Sequence, residues 1–209
     1  MIKLTTPIPM NCNIAFSGGV DSLVAAHFAM KGRRNPTLLH FNHGCEHSDR
    51  IQSDCEARAA SLGLRMVVGR VGGAMKPGQS LEDFWRRQRY RFLYSQPGEH
   101  VLTAHHLDDA VETWVWSSLH GEGKLIPPRS VHHGKTLLRP FLLTKKDELV
   151  EYAQIHGLVP VHDPYNNENH LTRNYIRSNM MVHVKYVNPG IDKVIRKKYL
   201  NESERLRND

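Results

Sequence analysis

The fold turns on IAFSGGVDSLVAAHF, residues 14–28. An apolar run enters a Ser-Gly-Gly turn, and an Asp-Ser pair then opens a helix. A turn that leaves a strand and enters a helix presents unpaired backbone N–H groups at the positive end of the helix dipole, which suits a phosphate. Gly18 and Gly19 let the backbone approach an anion, and Ser17 and Ser22 add hydroxyl donors on either side of Val20 and Asp21. The lysine of G-x-x-x-x-G-K-[ST] is missing, and the pattern is not G-x-G-x-x-G. Asp21 stands out, because a carboxylate beside phosphates repels them unless a cation lies between. It reads as a Mg²⁺ contact or as an N-terminal cap; a capped helix start with no ligand is the competing reading.

Outward from this turn, short apolar runs alternate with longer helical patterns. Strands are expected at NCNIAF (11–16), TLLHFNH (37–43), LRMVVGRV (64–71) and HVLTAH (100–105). Helices are expected between them: one closed by Gly32, one over 48–63 with a Ser48 or Asp49 cap and a Gly63 stop, one over 80–95 with Ser80 and Asp83 at its cap, and one over 107–121. This alternation predicts an α/β fold, a Rossmann-like parallel sheet with helices on both faces. Beyond it, VHHGKTLLRPF (131–141) reads as a His-Gly hairpin or strand pair, and 144–157 as a helix with a Thr144 cap. VHDPYNNENH (161–170) reads as a loop. A small C-terminal helical segment follows, with the last residues, 201–209, expected to fray. The division expected is a domain over 1–185 and a basic helical tail over 186–209.

The 209 residues are 40% hydrophobic and 23% charged, which suits one soluble domain. No apolar run approaches the roughly 18 residues of a membrane span. MIKLTTPIPMN is too short and too interrupted by proline for a secretory signal, so a cytoplasmic protein with no membrane partner is expected. Cys12, Cys45 and Cys55 form no C-x-x-C pair, which argues against a disulfide framework. The net charge of +7 favours a polyanionic partner. Basic residues cluster in 171–200 and in FWRRQRYRFLY (84–94), where Arg86, Arg87, Arg89 and Arg91 stand among aromatics.

In AHHLDDAVET (104–113), Asp108 and Glu112 are four apart and Asp109 and Glu112 three apart, so the acids can share one side of a helix. They fall just beyond a parallel strand, where such sheets bind ligands. A patch of three carboxylates can hold Mg²⁺ or a cationic amine. His105 and His106 have an ordinary reading as residues packed at the strand end, and HFNHGCEH (40–47) fits no common zinc spacing.

The S-G-G-x-D-S turn after an N-terminal strand resembles the PP-loop of the ATP pyrophosphatase superfamily. Four further stretches are similar to the tRNA(Ile)-lysidine synthetases: 38–64 including His43-Gly44, RRQRYRFL (86–93), AHHLDDAVET, and RPF followed by DPYNNENHLTRNYIR (163–177). The match runs in order from about residue 11 to residue 180. The resemblance implies that ATP is bound by Ser17, Gly18, Gly19, Val20, Asp21 and Ser22 with His43 and His105, and that Asp21 contacts Mg²⁺. It implies catalytic roles for Asp21, Arg86, Asp108, Asp109, Glu112, Arg173 and Arg177, the arginines stabilising charge on the phosphates. The reaction implied joins free lysine to the wobble cytidine of a CAU-anticodon tRNA(Ile), releasing AMP and pyrophosphate. Two departures stand out: Ala110 replaces the family's glutamine, and HGEGKLIPPRSV (120–131) replaces a run of small and apolar residues. The chain also stops about where that family's catalytic domain ends. An enzyme acting on another base or RNA, and a non-catalytic nucleotide- or RNA-binding protein, are the alternatives.

Overall fold

The computed structural model describes residues 1–162 and 175–208. Its centre is a six-stranded sheet in the order β3-β2-β1-β4-β6-β5. The strands are β1 (Asn11–Ala15), β2 (Asn35–Asn42), β3 (Met66–Arg70), β4 (His100–Leu102), β5 (Arg129–His132) and β6 (Lys135–Leu138). All neighbours are parallel except β5, which runs antiparallel to β6. The β5–β6 turn is His133-Gly134, with φ of 49° and 73°; two left-handed residues make the tight hairpin turn whose twist matches the strands it joins.

Five helices link or follow the strands: α1 (Val20–Lys31), α2 (Ser48–Ser61), α3 (Leu81–Ser95), α4 (Leu107–Ser118) and α5 (Lys146–Ile155). Side chains alternate across β1, so Cys12 and Ile14 join a core with Leu23, Val24, Cys55, Leu149 and Ala153 from α1, α2 and α5. On the opposite face Leu39, Val101 and Leu137 pack with Leu93 of α3, so helices cover both faces as expected. A π-helical turn (Ile176–Met180), α6 (Met181–Val187) and α7 (Ile191–Asn208) complete the described chain. Ile191, Ile195 and Tyr199 of α7 pack with Leu107, Val111 and Val115 of α4.

Three local expectations are corrected. The α2 N-cap is His47, not Ser48 or Asp49, because the Ser48 hydroxyl accepts the Cys45 N–H and Asp49 accepts from Asn42 and Arg70. The α5 N-cap is Lys145, because the Thr144 side chain accepts the Lys3 N–H and donates to the Lys3 carbonyl, tying down the N-terminal segment. The C-terminal residues continue α7 to Asn208 instead of fraying. Ser80 caps α3 as expected, accepting the Asp83 N–H at 3.2 Å. The loop and motif residues 163–174, including Arg173, lie outside the described residues.

The strand order places the site. From β1 the chain turns one way across the sheet to β2, and from β4 the other way to β6. Between the C-terminal ends of these adjacent strands lies the topological switch point, the crevice where open α/β sheets bind ligands. The Ser-Gly-Gly turn leaves β1 there, and His105-His106 leaves β4 beside it.

Candidate active site

The turn after β1 is held by its own hydroxyls and by two distant residues. Ser22 Oγ donates to the Gly19 carbonyl at 3.0 Å and accepts the Ser17 N–H at 3.2 Å, while Ser17 Oγ accepts the Gly19 N–H at 3.3 Å. Gly18 has φ of 79°, and its carbonyl accepts the Val161 N–H at 3.0 Å. A Cβ at Gly18 would lie 2.6 Å from Cys55 Sγ and 2.8 Å from Val161 Cγ2, so the position excludes every side chain on both conformation and space. Gly19 is the N-cap of α1 and offers no side chain to its first amides. Asp21 is therefore not the cap; it is the second residue of the helix.

The first turns of α1, α4 and α5 meet at the switch point. Lys146, the first residue of α5, donates from Nζ to both Asp21 carboxylate oxygens, at 2.7 and 2.8 Å. Its backbone N–H donates to Asp108 Oδ2 of α4 at 2.8 Å. His106, the α4 N-cap, is buried between them: Nε2 is 3.8 Å from Asp21 Oδ2 and 3.5 Å from Asp109 Oδ2, and Nδ1 is 3.6 Å from Asp108 Oδ2. Asp109 turns back on α4 and accepts the His106 backbone N–H at 2.9 Å.

The carboxylates that sequence spacing placed on one side of α4 do share it, and a guanidinium closes them. Arg177 donates from Nε to Glu112 Oε1 at 2.8 Å and from Nη2 to Glu112 Oε2 and Asp109 Oδ1 at 3.0 Å each. Lys185 of α6 lies 3.5 Å from Asp108 Oδ1. Three first-turn acids thus face three helix N-termini, where the dipoles favour them, and basic side chains supply the remaining compensation.

These contacts shift the pKa values of Asp108, His106 and Arg177. Burial opposes charge on Asp108, but the His106 ring, the Lys146 N–H and the Lys185 ammonium outweigh it and hold its carboxyl well below the usual range. Burial likewise opposes a charge on His106, yet Asp108, Asp109 and Asp21 raise its pKa above the ordinary imidazole value. The bonds to Glu112 raise Arg177 further, against its burial.

A cavity of about 240 Å³ opens on this cluster, lined by His106, Asp108, Glu112, Lys146, Asp147, Arg177 and Lys185 with Val111 and Met181. Both signs of charge line it. The other sequence candidates stand apart from this lining. His43, at the end of β2, packs 5.1 Å from Trp85 of α3, and its pKa falls to about 4 through burial and the nearby Arg89. His105 Nδ1 bonds Thr103 Oγ1 at 2.8 Å. Arg86 lies exposed on α3 with its guanidinium 4.9 Å from the centre of the Tyr90 ring. Arg87, read as a surface ion pair, is one, 2.9 Å from Asp83.

A model of the PP-loop domain matches residues 5–184. The chain belongs to the PP-loop domain family. This PP-loop domain is 38% identical over 180 residues to the tRNA(Ile)-lysidine synthase of Pseudomonas aeruginosa, covering 80% of this chain and 40% of that protein. It is 33% identical over 183 residues to the tRNA(Ile)-lysidine synthase of Pseudomonas putida, covering 82% and 42%, and 33% identical over 195 residues to that of Persephonella marina, covering 86% and 42%. The chain thus spans about two fifths of the length of these curated relatives. Among solved structures it is similar to a predicted subunit of tRNA methyltransferase from Methanocaldococcus jannaschii, at 19% identity and a TM-score of 0.47 over 70% of this chain and 75% of that one.

Sequence reasoning missed two residues and undervalued a third. His106 read as a packed strand-end residue, but it is the hub of the acid cluster. Lys146 and Lys185 carried no motif. One signal was available: two lysines open α5, where the helix dipole disfavours cations, and such a breach marks nearby anions. Lys145 pairs with Asp192 and Lys146 with Asp21.

No helix among the described residues is long and apolar enough to cross a membrane. Among them, too, no group of three or more His, Cys, Asp or Glu forms a metal cage.

Proposed function

We propose that this domain binds ATP at the Ser17–Ser22 turn and uses it to activate a tRNA base for attack by lysine. The observation that carries the reading is the 3.8 Å approach of His106 to Asp21, which sets the anion-binding turn of β1 directly against the acid cluster of α4. Similarity to tRNA(Ile)-lysidine synthases supports the substrates.

In this mechanism the amides of Gly18 and Gly19 and the hydroxyls of Ser17 and Ser22 receive the phosphate chain. Asp21 would hold Mg²⁺, which would supply neutralisation of the charge that develops on the pyrophosphate. The C2 oxygen of the wobble cytidine attacks the α-phosphate and pyrophosphate leaves. The lysine ε-amine then attacks C2, the C2–O bond breaks, and AMP leaves with its electron pair. Arg86 and Arg173 would stabilise the charge developing on the phosphates, as the family resemblance implies.

The cavity suits an amino acid because it offers both signs: Asp108, Glu112 and Asp147 toward an ammonium, Lys185 and Arg177 toward a carboxylate. Asp108, held ionised, orients the ammonium; the attacking amine's proton passes to the carboxylate cluster around it. RNA would meet the arginine–aromatic side of α3, where the exposed Arg86 and the half-buried Arg89 flank a half-buried Tyr90, and the exposed Lys193 and Lys197 of α7.

The test is pyrophosphate release from MgATP, with and without lysine and a CAU-anticodon tRNA(Ile) transcript, followed by nucleoside mass analysis. Release that needs both, with a lysyl mass gain on cytidine, supports the reading. Release with tRNA but no lysine incorporation assigns a different nucleophile or RNA. No release under any condition, with ATP still bound, leaves a nucleotide-binding protein.

A further inference from the structure

The turn at 17–22 lacks the lysine that phosphate-binding turns of the G-x-x-x-x-G-K-[ST] type carry, and it carries an acid instead. An acid in the first turn of α1 repels a phosphate chain arriving at the same helix terminus. The tertiary structure places an ammonium on that acid from 125 residues away: Lys146 Nζ is 2.7 and 2.8 Å from the two Asp21 oxygens. We propose that Lys146 supplies the missing phosphate-binding ammonium, resting on Asp21 in the free protein and moving onto the phosphate chain of a bound nucleoside triphosphate.

Three observations fit a delivered cation better than an incidental surface pair. First, the base of Lys146 is fixed from two sides. Its N–H is held by Asp108 at 2.8 Å, and the preceding Lys145 N–H by Glu148 Oε2 at 2.9 Å, so the side chain is aimed while its four-carbon stem stays free to swing. Second, the side chain keeps 38% of its surface exposed and lines the cavity, so moving its head breaks no core packing. Third, the buried His106 stands in the same cavity wall, 3.8 Å from Asp21 and 3.6 Å from Asp108, so Asp21 keeps a neighbouring imidazole when the Lys146 head leaves. A lysine at the first position of α5, where the dipole disfavours it, is then retained for its reach to α1.

The inference rests on the reading that the turn binds ATP, and its test separates the two. With the full 209-residue chain, the affinities for MgATP and for adenosine are measured by displacement of a fluorescent nucleotide, for the wild type, Lys146→Met, Lys146→Gln, Lys146→Arg and the double variant Asp21→Asn/Lys146→Met. Lys146→Met and Lys146→Gln are expected to bind MgATP about 10- to 100-fold more weakly, the range for one hydrogen bond to a charged group. Adenosine affinity is expected to stay within about twofold of wild type, because adenosine has no phosphate to lose, and Lys146→Arg is expected to recover much of the loss. If Lys146 only masks Asp21, neutralising the acid restores MgATP binding in the double variant, and that restoration overturns the proposal. Equal MgATP affinity in wild type and Lys146→Met overturns it as well while leaving the ATP site standing. A wild-type chain that binds no MgATP overturns both.

Discussion

Replacing Gly18 with alanine tests whether the turn is shaped by space as well as by dihedral angle. Gly18 sits at φ 79°, which costs a residue with a Cβ about 1–2 kcal/mol. The new methyl would also lie 2.6 Å from Cys55 Sγ and 2.8 Å from Val161 Cγ2. Cys55 is fully buried on α2 and cannot rotate into solvent, so the overlap adds an overpacking cost of about 1–3 kcal/mol. Together these give a loss of about 2–5 kcal/mol, which for a domain of this size lowers the melting temperature by roughly 5–20 °C. Calorimetric melts of wild type, Gly18→Ala, Cys55→Ala and the double variant form a cycle. Removing Sγ opens space for the methyl, so the double variant is expected to be more stable than the two single losses predict, by about 1 kcal/mol or more. Because the Gly18 carbonyl also holds the Val161 N–H, MgATP binding should fall with the single variant and return only in part with the double. A Gly18→Ala protein that melts with wild type, or losses that simply add, would refute the steric argument.

Removing the Arg177 guanidinium leaves Asp109 and Glu112, 7% and 5% exposed, without their main cation. The side chain of Arg177 is itself half-exposed, so water softens the loss to about 1–3 kcal/mol, below the 3–5 kcal/mol of a fully buried pair; the urea midpoint of Arg177→Ala reads it, and Glu112→Gln in that background should recover part. His43 is kept neutral, with its pKa lowered to about 4 by burial and by Arg89. The unfolded chain takes up that proton below about pH 6.5, so stability is full above that pH and declines as pH falls toward 4, by about 2–4 kcal/mol. Urea titrations at pH 7 and 4.5 should show His43→Phe losing less than wild type across this window, and parallel losses would contradict the assignment. Ala110 is completely buried among Leu107, Val111 and Leu142, so installing the family's glutamine should cost about 1–3 kcal/mol of stability in a melt. An Ala110→Gln protein as stable as wild type would mean the α4 core has room that the packing does not show.

Much of the local architecture is legible in the chain. The S-G-G-V-D-S turn, the Ser80 cap and the His133-Gly134 hairpin depend on residues within a few positions of one another, and each forms where spacing places it. The i,i+4 relation of Asp108 and Glu112 is likewise a local fact of one helix. Two caps failed. Thr144 has the right chemistry, but the N-terminal segment offered it a partner 141 residues away that a linear reading does not contain, whereas Ser48 turned to the Cys45 N–H three residues upstream instead of to its own helix.

The alternating strands and helices, the Ser-Gly-Gly turn and the acids on one side of α4 were thus written in the chain, because all follow from backbone sterics and helical period. Tertiary structure alone decided the partners of those acids. Lys146 reaches Asp21 across 125 residues and Arg177 reaches Glu112 across 65. Such pairs exist only because the strand order reverses direction between β1 and β4 and brings three helix N-termini to one crevice. Charge compensation in a crevice depends on where the chain crosses over, and no local pattern records that.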